Sequence, residues 1–149
     1  MNTRYPSSRL LPGLLAGAMF AALLMSHPAR AASPELDHAI AQGKDLFSHE
    51  TFGGSGKVCE SCHLGGGKEA GRLPNGKAIP SLTNAAAIFP RFQQRTGKVI
   101  TLTDQIRSCA SNALEGTPPD YGSDKLNALA SYITSLSQGK PVDMGGTPK

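Results

Sequence analysis

Apolar side chains return every three or four residues in three stretches of the chain, and each stretch opens on a capping residue. In the first, residues 33–47, Leu36, Ala39, Ile40, Gly43, Leu46 and Phe47 share one helical face behind Ser33 as cap and Pro34 at the first helical position. A glycine inside that face predicts that another helix crosses closely at Gly43. In the second stretch, residues 101–116, Ile106, Cys109, Ala110, Ala113 and Leu114 form the apolar stripe, so Cys109 faces inward. Thr101 and Asp104 have capping-box spacing there, and Gly116 is the expected stop. The third, residues 123–139, buries Leu126, Leu129, Ala130, Ile133 and Leu136 between a Ser123 cap and a Gly139 terminator. No repeat, heptad array or strand alternation is visible. The expected fold is therefore all-α, three main helices joined by Gly/Pro-rich loops, with residues 78–100 a loop containing one short turn.

One further apolar run, residues 10–25, has a different character. Arg4 and Arg9 precede it and Ala29-Arg30-Ala31 follows it, which reads as a secretory signal peptide over residues 1–31, cleaved after Ala31, with one domain over residues 32–149. Pro12 and Gly13 interrupt a run already short for a span of about 20 apolar residues. The mature form is thus expected in the periplasm with no membrane span. Arg4, Arg9 and Arg30 leave with the leader, so 15 basic side chains fall to 12 against 11 acidic ones, and the basic balance of the whole chain gives no argument for nucleic acid.

The chemistry concentrates in "KVCESCHLGGG", residues 57–67, where Cys59 and Cys62 are three apart with His63 directly behind. Such a group serves zinc, thiol–disulfide exchange or covalent haem. Zinc needs four ligands, and beyond Cys59, Cys62 and Cys109 the chain after the leader offers only His38, His49 or His63, with no second paired motif. A thioredoxin-like pair belongs at a strand-to-helix junction, which this pattern lacks. "GGSGK" resembles a phosphate-binding loop superficially, but Val58 stands where Ser or Thr is required. Haem accounts for more: two thiols add across its vinyl groups, the adjacent histidine lies under the iron, and its apolar ring supplies a core that three short helices lack. The expectation is one covalent haem c on Cys59 and Cys62, with His63 as proximal iron ligand.

For the sixth iron position, Met144 is the only methionine after the leader, in a tail, "VDMGGTPK", that reads as frayed. Cys109 is the stronger candidate. It is the cysteine left over in an exported chain, it faces inward, and as ligand it would be the thiolate, whose charge the metal stabilises. The alternatives are that Cys109 is a small buried core residue, that His38 or His49 takes the position, or that the site stays open near Asn112.

Nearly all of the chain after the leader, residues 47–142, resembles c-type cytochrome domains of bacterial sulfur-compound oxidation. The resemblance rests on "CESCHLGGG", "FPRF" at 89–92, "TLTDQIRSCA" at 101–110, and "YGSDKLNALASYI" with "GKPV" at 121–142. It is nearest to the Cys-ligated haem domain of the Sox complex A subunit (L-cysteine S-thiosulfotransferase) and to thiosulfate dehydrogenase. It implies a class I cytochrome c-like fold with haem ligated by His63 and Cys109, and sulfur chemistry at that haem. Both families place an arginine four residues before the ligand cysteine to hold a sulfur oxyanion, and here that position is Gln105. An amide donates hydrogen bonds but supplies neither charge nor a bidentate fork. The relatives also pair with a second haem domain or subunit.

The resulting expectation is a periplasmic monohaem electron-transfer protein of thiosulfate oxidation, rather than a stand-alone enzyme. Its partner would be a redox protein, another cytochrome or a sulfur-oxidation component, docked through basic residues such as Lys57, Lys68 and Lys77 or through "PRFQQRTGK". The competing functions are an enzyme working through Cys109 and the Gln105 position, and a gas-binding haem protein.

Overall fold

The computed structural model describes residues 33–149; the expected signal peptide lies outside them. Three helices form where the apolar spacing places them. Helix α1 (Pro34–His49) starts at Ser33, whose hydroxyl accepts the Leu36 amide. Following the short helix α2 (Ala85–Ile88), helix α3 (Leu102–Asn112) starts in a capping box: the Thr101 hydroxyl accepts the Asp104 amide at 3.2 Å, and the Asp104 carboxylate accepts the Thr101 amide at 2.8 Å. Helix α4 (Asp124–Ser135) starts at Ser123.

The all-α expectation does not hold. Two antiparallel ribbons accompany the four helices: β1 (Gly71–Arg72) with β2 (Ala78–Ile79), and β3 (Arg91–Gln93) with β4 (Lys98–Ile100). Strands of two or three residues are too short for a period of two to register in the sequence. In β3–β4 the pattern is also inverted. Phe92 and Val99 pair across the ribbon and are 60% and 68% exposed, while Arg91, opposite Ile100, is half-buried. Only the turn residue Gly97, at φ +66°, carries an ordinary hairpin signal.

Helix α1 packs chiefly on α4, and α3 closes on α4 from another side. Phe47, Ile106, Ala110, Leu126, Leu129, Tyr132 and Ile133 make the core, joined by Ala85 of α2 and by Phe52 and Leu114 from the connecting segments. Leu36, expected inside, is 44% exposed like the rest of the first turn of α1, and Ala113, at the C-cap of α3, is exposed as well. Gly116 does not stop α3 through its own conformation. Glu115 takes the left-handed turn at φ +59°, and Gly116 lies so close to Phe52 that a Cβ would meet its carbonyl oxygen at 2.6 Å.

Residues 143–149 are not frayed. The Asp143 and Gly145 amides donate to the Ala87 and Ile88 carbonyls of α2, and the Asn84 side chain donates to the Thr147 carbonyl. From the other side, the Ser137 hydroxyl accepts the Ala86 amide, so α2 is clasped between the end of α4 and the tail.

The close crossing read from Gly43 is present: a Cβ there would sit 2.0 Å from the Ala128 carbonyl oxygen and 2.8 Å from Cβ of Tyr132. Gly43→Ala is expected to destabilise the protein by about 1–3 kcal/mol through overpacking, outweighing a helix-propensity gain of about 1 kcal/mol. Urea unfolding of the haem-loaded protein measures it, and an unchanged or raised midpoint would refute so tight a crossing.

Candidate functional site

Between α1 and β1 the chain makes a single tight turn, Cys59–Ser61, in which the Cys62 and His63 amides both donate to the Cys59 carbonyl, at 3.2 and 3.1 Å. The turn is pinned by the residue inside the cysteine spacer. Glu60 accepts the Ser48 hydroxyl at 2.6 Å and the Gly66 amide at 2.8 Å, and these bonds hold its carboxyl below the ordinary range. On the other flank Gly71 runs directly against Cys62, where a Cβ would come within 1.9 Å of the Cys62 carbonyl oxygen.

His63 is half-buried, and burial lowers its pKa, favouring the neutral ring. Its Nδ1 lies 3.1 Å from the Pro80 carbonyl oxygen. A carbonyl only accepts, so Nδ1 carries the proton and Nε2 presents a lone pair, the form and orientation in which an imidazole binds a metal. Behind the ring stands Phe47, with centroids 6.5 Å apart, and Phe47 in turn meets Tyr132 edge-on at 5.4 Å. The Tyr132 hydroxyl donates to the Gly66 carbonyl at 2.7 Å, fixing the glycine turn that follows His63 to α4.

Cys109 lies in the last turns of α3, half-buried, and its sulfur accepts a hydrogen bond from the Gln105 amide nitrogen at 3.3 Å. Burial pushes the Cys109 thiol up, and the Gln105 bond opposes that shift. Burial, followed by the nearby Cys109, pushes the Cys59 thiol up to about 12. All three cysteines are free, and they are near enough for their charges to interact. Among the described residues no three His, Cys, Asp or Glu side chains converge on one point, the arrangement zinc would need.

The remaining candidates are not brought to this region. His38 is exposed, His49 bonds Asp45 on the surface of α1, Asn112 is exposed and bonds Ser108, and Met144 is 68% exposed. Arg107, two residues from Gln105, is committed elsewhere: its guanidinium donates to the Pro119 carbonyl and lies 4.2 Å from the centre of the Tyr121 ring. Lys57 pairs with Glu115 at 3.7 Å, and Lys68 and Lys77 are exposed. Pro80 and Tyr132, which orient His63 and its turn, were not legible as site residues. A backbone carbonyl leaves no trace in a side-chain pattern, and Tyr132 reads as one more position in an apolar face.

The donor set fits a covalent haem. Two thiols on one turn match the attachment chemistry, and His63 has its outer nitrogen anchored and its inner one available. Cys109, on a separate helix, offers a further sulfur.

Comparison with known proteins agrees with this geometry. The family described as SoxA/TsdA, cytochrome c domain, matches residues 42–142. Thiosulfate dehydrogenase of Psychrobacter arcticus is 37% identical over 83 residues, covering 56% of this chain and 23% of the relative. Among solved structures, thiosulfate dehydrogenase (TsdBA) of Marichromatium purpuratum in its as-isolated form superimposes with a TM-score of 0.60 at 26% identity, over 82% of this chain and 27% of that one. SoxXA of P. pantotrophus shares the fold, with a TM-score of 0.60 at 22% identity over 74% of this chain and 37% of that one. The chain spans less than half the length of the curated relatives it matches.

Removing the Tyr132 hydroxyl isolates the support behind His63. Tyr132→Phe leaves the Gly66 carbonyl without its partner and is expected to cost about 1–2 kcal/mol. Equilibrium unfolding followed by haem absorbance measures the loss; a stability equal to wild type would show that the bond contributes nothing.

Proposed function

We propose, for a chain that belongs to the SoxA/TsdA cytochrome c domain family and so carries one covalently attached haem c, that it is an exported electron-transfer protein of thiosulfate oxidation. In this proposal Cys59 and Cys62 would hold the haem covalently, and His63 and Cys109 would be the ligands of its iron. The haem supplies one-electron exchange between ferrous and ferric iron. The protein's part is to keep His63 neutral and aimed through Pro80, to stiffen its turn through Glu60 and Tyr132, and to bring a sulfur on α3 beside that frame. Export is supported by the basic and apolar pattern of residues 1–31, and no described helix is long and apolar enough to cross a membrane. The partner would be a separate redox protein, another cytochrome or a sulfur-oxidation component.

The observation that carries electron transfer over thiosulfate catalysis is the Gln105–Cys109 hydrogen bond. Thiosulfate is a dianion, and placing it beside a cysteinate requires positive charge at close range. Gln105 offers an uncharged donor, and Arg107 is turned to Pro119 and Tyr121. The names of the relatives favour the competing enzyme function, and the substitution of Gln105 separates the two.

Oxidised protein is expected to give a low-spin paramagnetic resonance spectrum of thiolate-ligated haem, which Cys109→Ala abolishes; an unchanged spectrum in that variant would exclude Cys109 as ligand. Haem reduction by thiosulfate alone is expected to be slow. A charge-assisted hydrogen bond contributes about 1.5–3 kcal/mol against about 0.5–1.5 for a neutral one, and about 1.4 kcal/mol of transition-state binding is roughly tenfold in rate. Gln105→Arg should therefore accelerate thiosulfate-dependent reduction roughly tenfold. Fast wild-type reduction that Gln105→Ala leaves intact would return the protein to the catalytic class.

A further inference from the structure

Arg91 is a half-buried cation that the protein itself does not neutralise. It opens β3 opposite Ile100, on the inward face of the ribbon whose other face carries Phe92 and Val99. Its guanidinium carbon lies 5.4 Å from the centre of the Phe89 ring, which shields one side without accepting a hydrogen bond. Its Nε is closed off from solvent and has no hydrogen-bond partner among the described residues. All 11 Asp and Glu residues lie between positions 35 and 143, and the ion pairs among the described residues join other groups. The 32 residues outside the described part contain no Asp or Glu at all, so they supply no side-chain carboxylate either.

A donor buried without an acceptor costs about 1–3 kcal/mol, and more when it is charged. The half-buried guanidinium as a whole has no carboxylate beside it, and the planar fork of its terminal nitrogens suits an outside carboxylate held by two parallel hydrogen bonds. Haem c carries two carboxylates, its propionates, on an otherwise apolar ring. The ribbon also has the right connection: β4 passes through Thr101 directly into α3, the helix of Cys109, so the Arg91–Ile100 register ties this cation to the element that carries the proposed sixth ligand. We propose that Arg91 binds a haem propionate through its two terminal nitrogens, which makes the β3–β4 ribbon part of the cofactor site. This rests on the haem lying between the Cys59–His63 turn and α3, as in the function proposed above.

The test uses the haem-loaded protein and reads its reduction potential. Removing a cation beside the haem favours ferric iron. Arg91→Gln should lower the potential by about 59 mV, equal to a tenfold shift in the ferrous-to-ferric ratio. Arg91→Lys, which keeps the charge but loses the fork, should lower it by less than half as much. A purely structural arginine over Phe89 would change unfolding but not the potential, so wild-type potentials in both variants would overturn the proposal. Paramagnetic resonance of the same samples reads the axial ligands independently, and a thiolate signal kept while the potential falls separates this inference from the ligand assignment. Should Arg91→Gln fail to accumulate, a crystal structure of the wild-type haem protein decides: a propionate oxygen within 3.2 Å or so of Nη1 or Nη2 supports the inference, and both propionates facing solvent away from Arg91 overturn it.

Discussion

At Gly43 the backbone of α1 lies directly on the Ala128 carbonyl of α4, and the position of the functional region follows from that contact. It brings the next turn of α1, with Phe47, against Tyr132 one turn along α4. These two rings form the wall behind His63, and the Tyr132 hydroxyl extends it to the Gly66 carbonyl. Ser48, beside Phe47, reaches Glu60 in the middle of the cysteine spacer. One close helix crossing thus fixes the far side of the CxxCH turn at three points, by the tilted contact of Phe47 with His63 and by the hydroxyls of Ser48 and Tyr132. Any side chain at Gly43 would push that whole wall outward.

What the sequence discloses depends on how each feature is encoded. Helix starts are written locally, in Ser33, Thr101 with Asp104, and Ser123, and each cap forms as read. The attachment turn is equally local, and its two cysteines and histidine fold into one hydrogen-bonded unit. The ribbons escape because pairing between two or three residues is a long-range fact with no periodic trace, and because Phe92 and Val99 turn their apolar sides outward. The tail escapes for a similar reason. Glycine and proline in residues 141–148 signal no helix, yet the backbone still finds acceptors on α2. Pro80 and Arg91 belong to a third class, groups whose meaning lies in a partner that side-chain spacing never names.

In the proposed function, one residue type beside Cys109 redirects chemistry without altering architecture. Gln105 occupies the turn before Cys109 and reaches its sulfur, so the α3 scaffold is intact. The difference proposed from the related families is one of charge. An amide delivers a hydrogen bond and no field, and the nearby guanidinium of Arg107 spends its donors on Pro119 and its face on Tyr121, itself bonded to Asp104. The first half of α3 is thereby stitched to the loop before α4, a structural use for a cation that would otherwise be available to an anion.

Gathering three sulfurs into one small protein carries a hazard in an oxidising setting, since any two could join as a disulfide. Disulfide exchange proceeds through the thiolate. A thiol pushed up to about 12, as Cys59 is, leaves only about one molecule in 100,000 ionised at neutral pH. Cys109 is shifted in the same direction by the same burial. The apolar packing around Cys59 and Cys109 therefore holds both as thiols, the form that is slow to enter disulfide exchange.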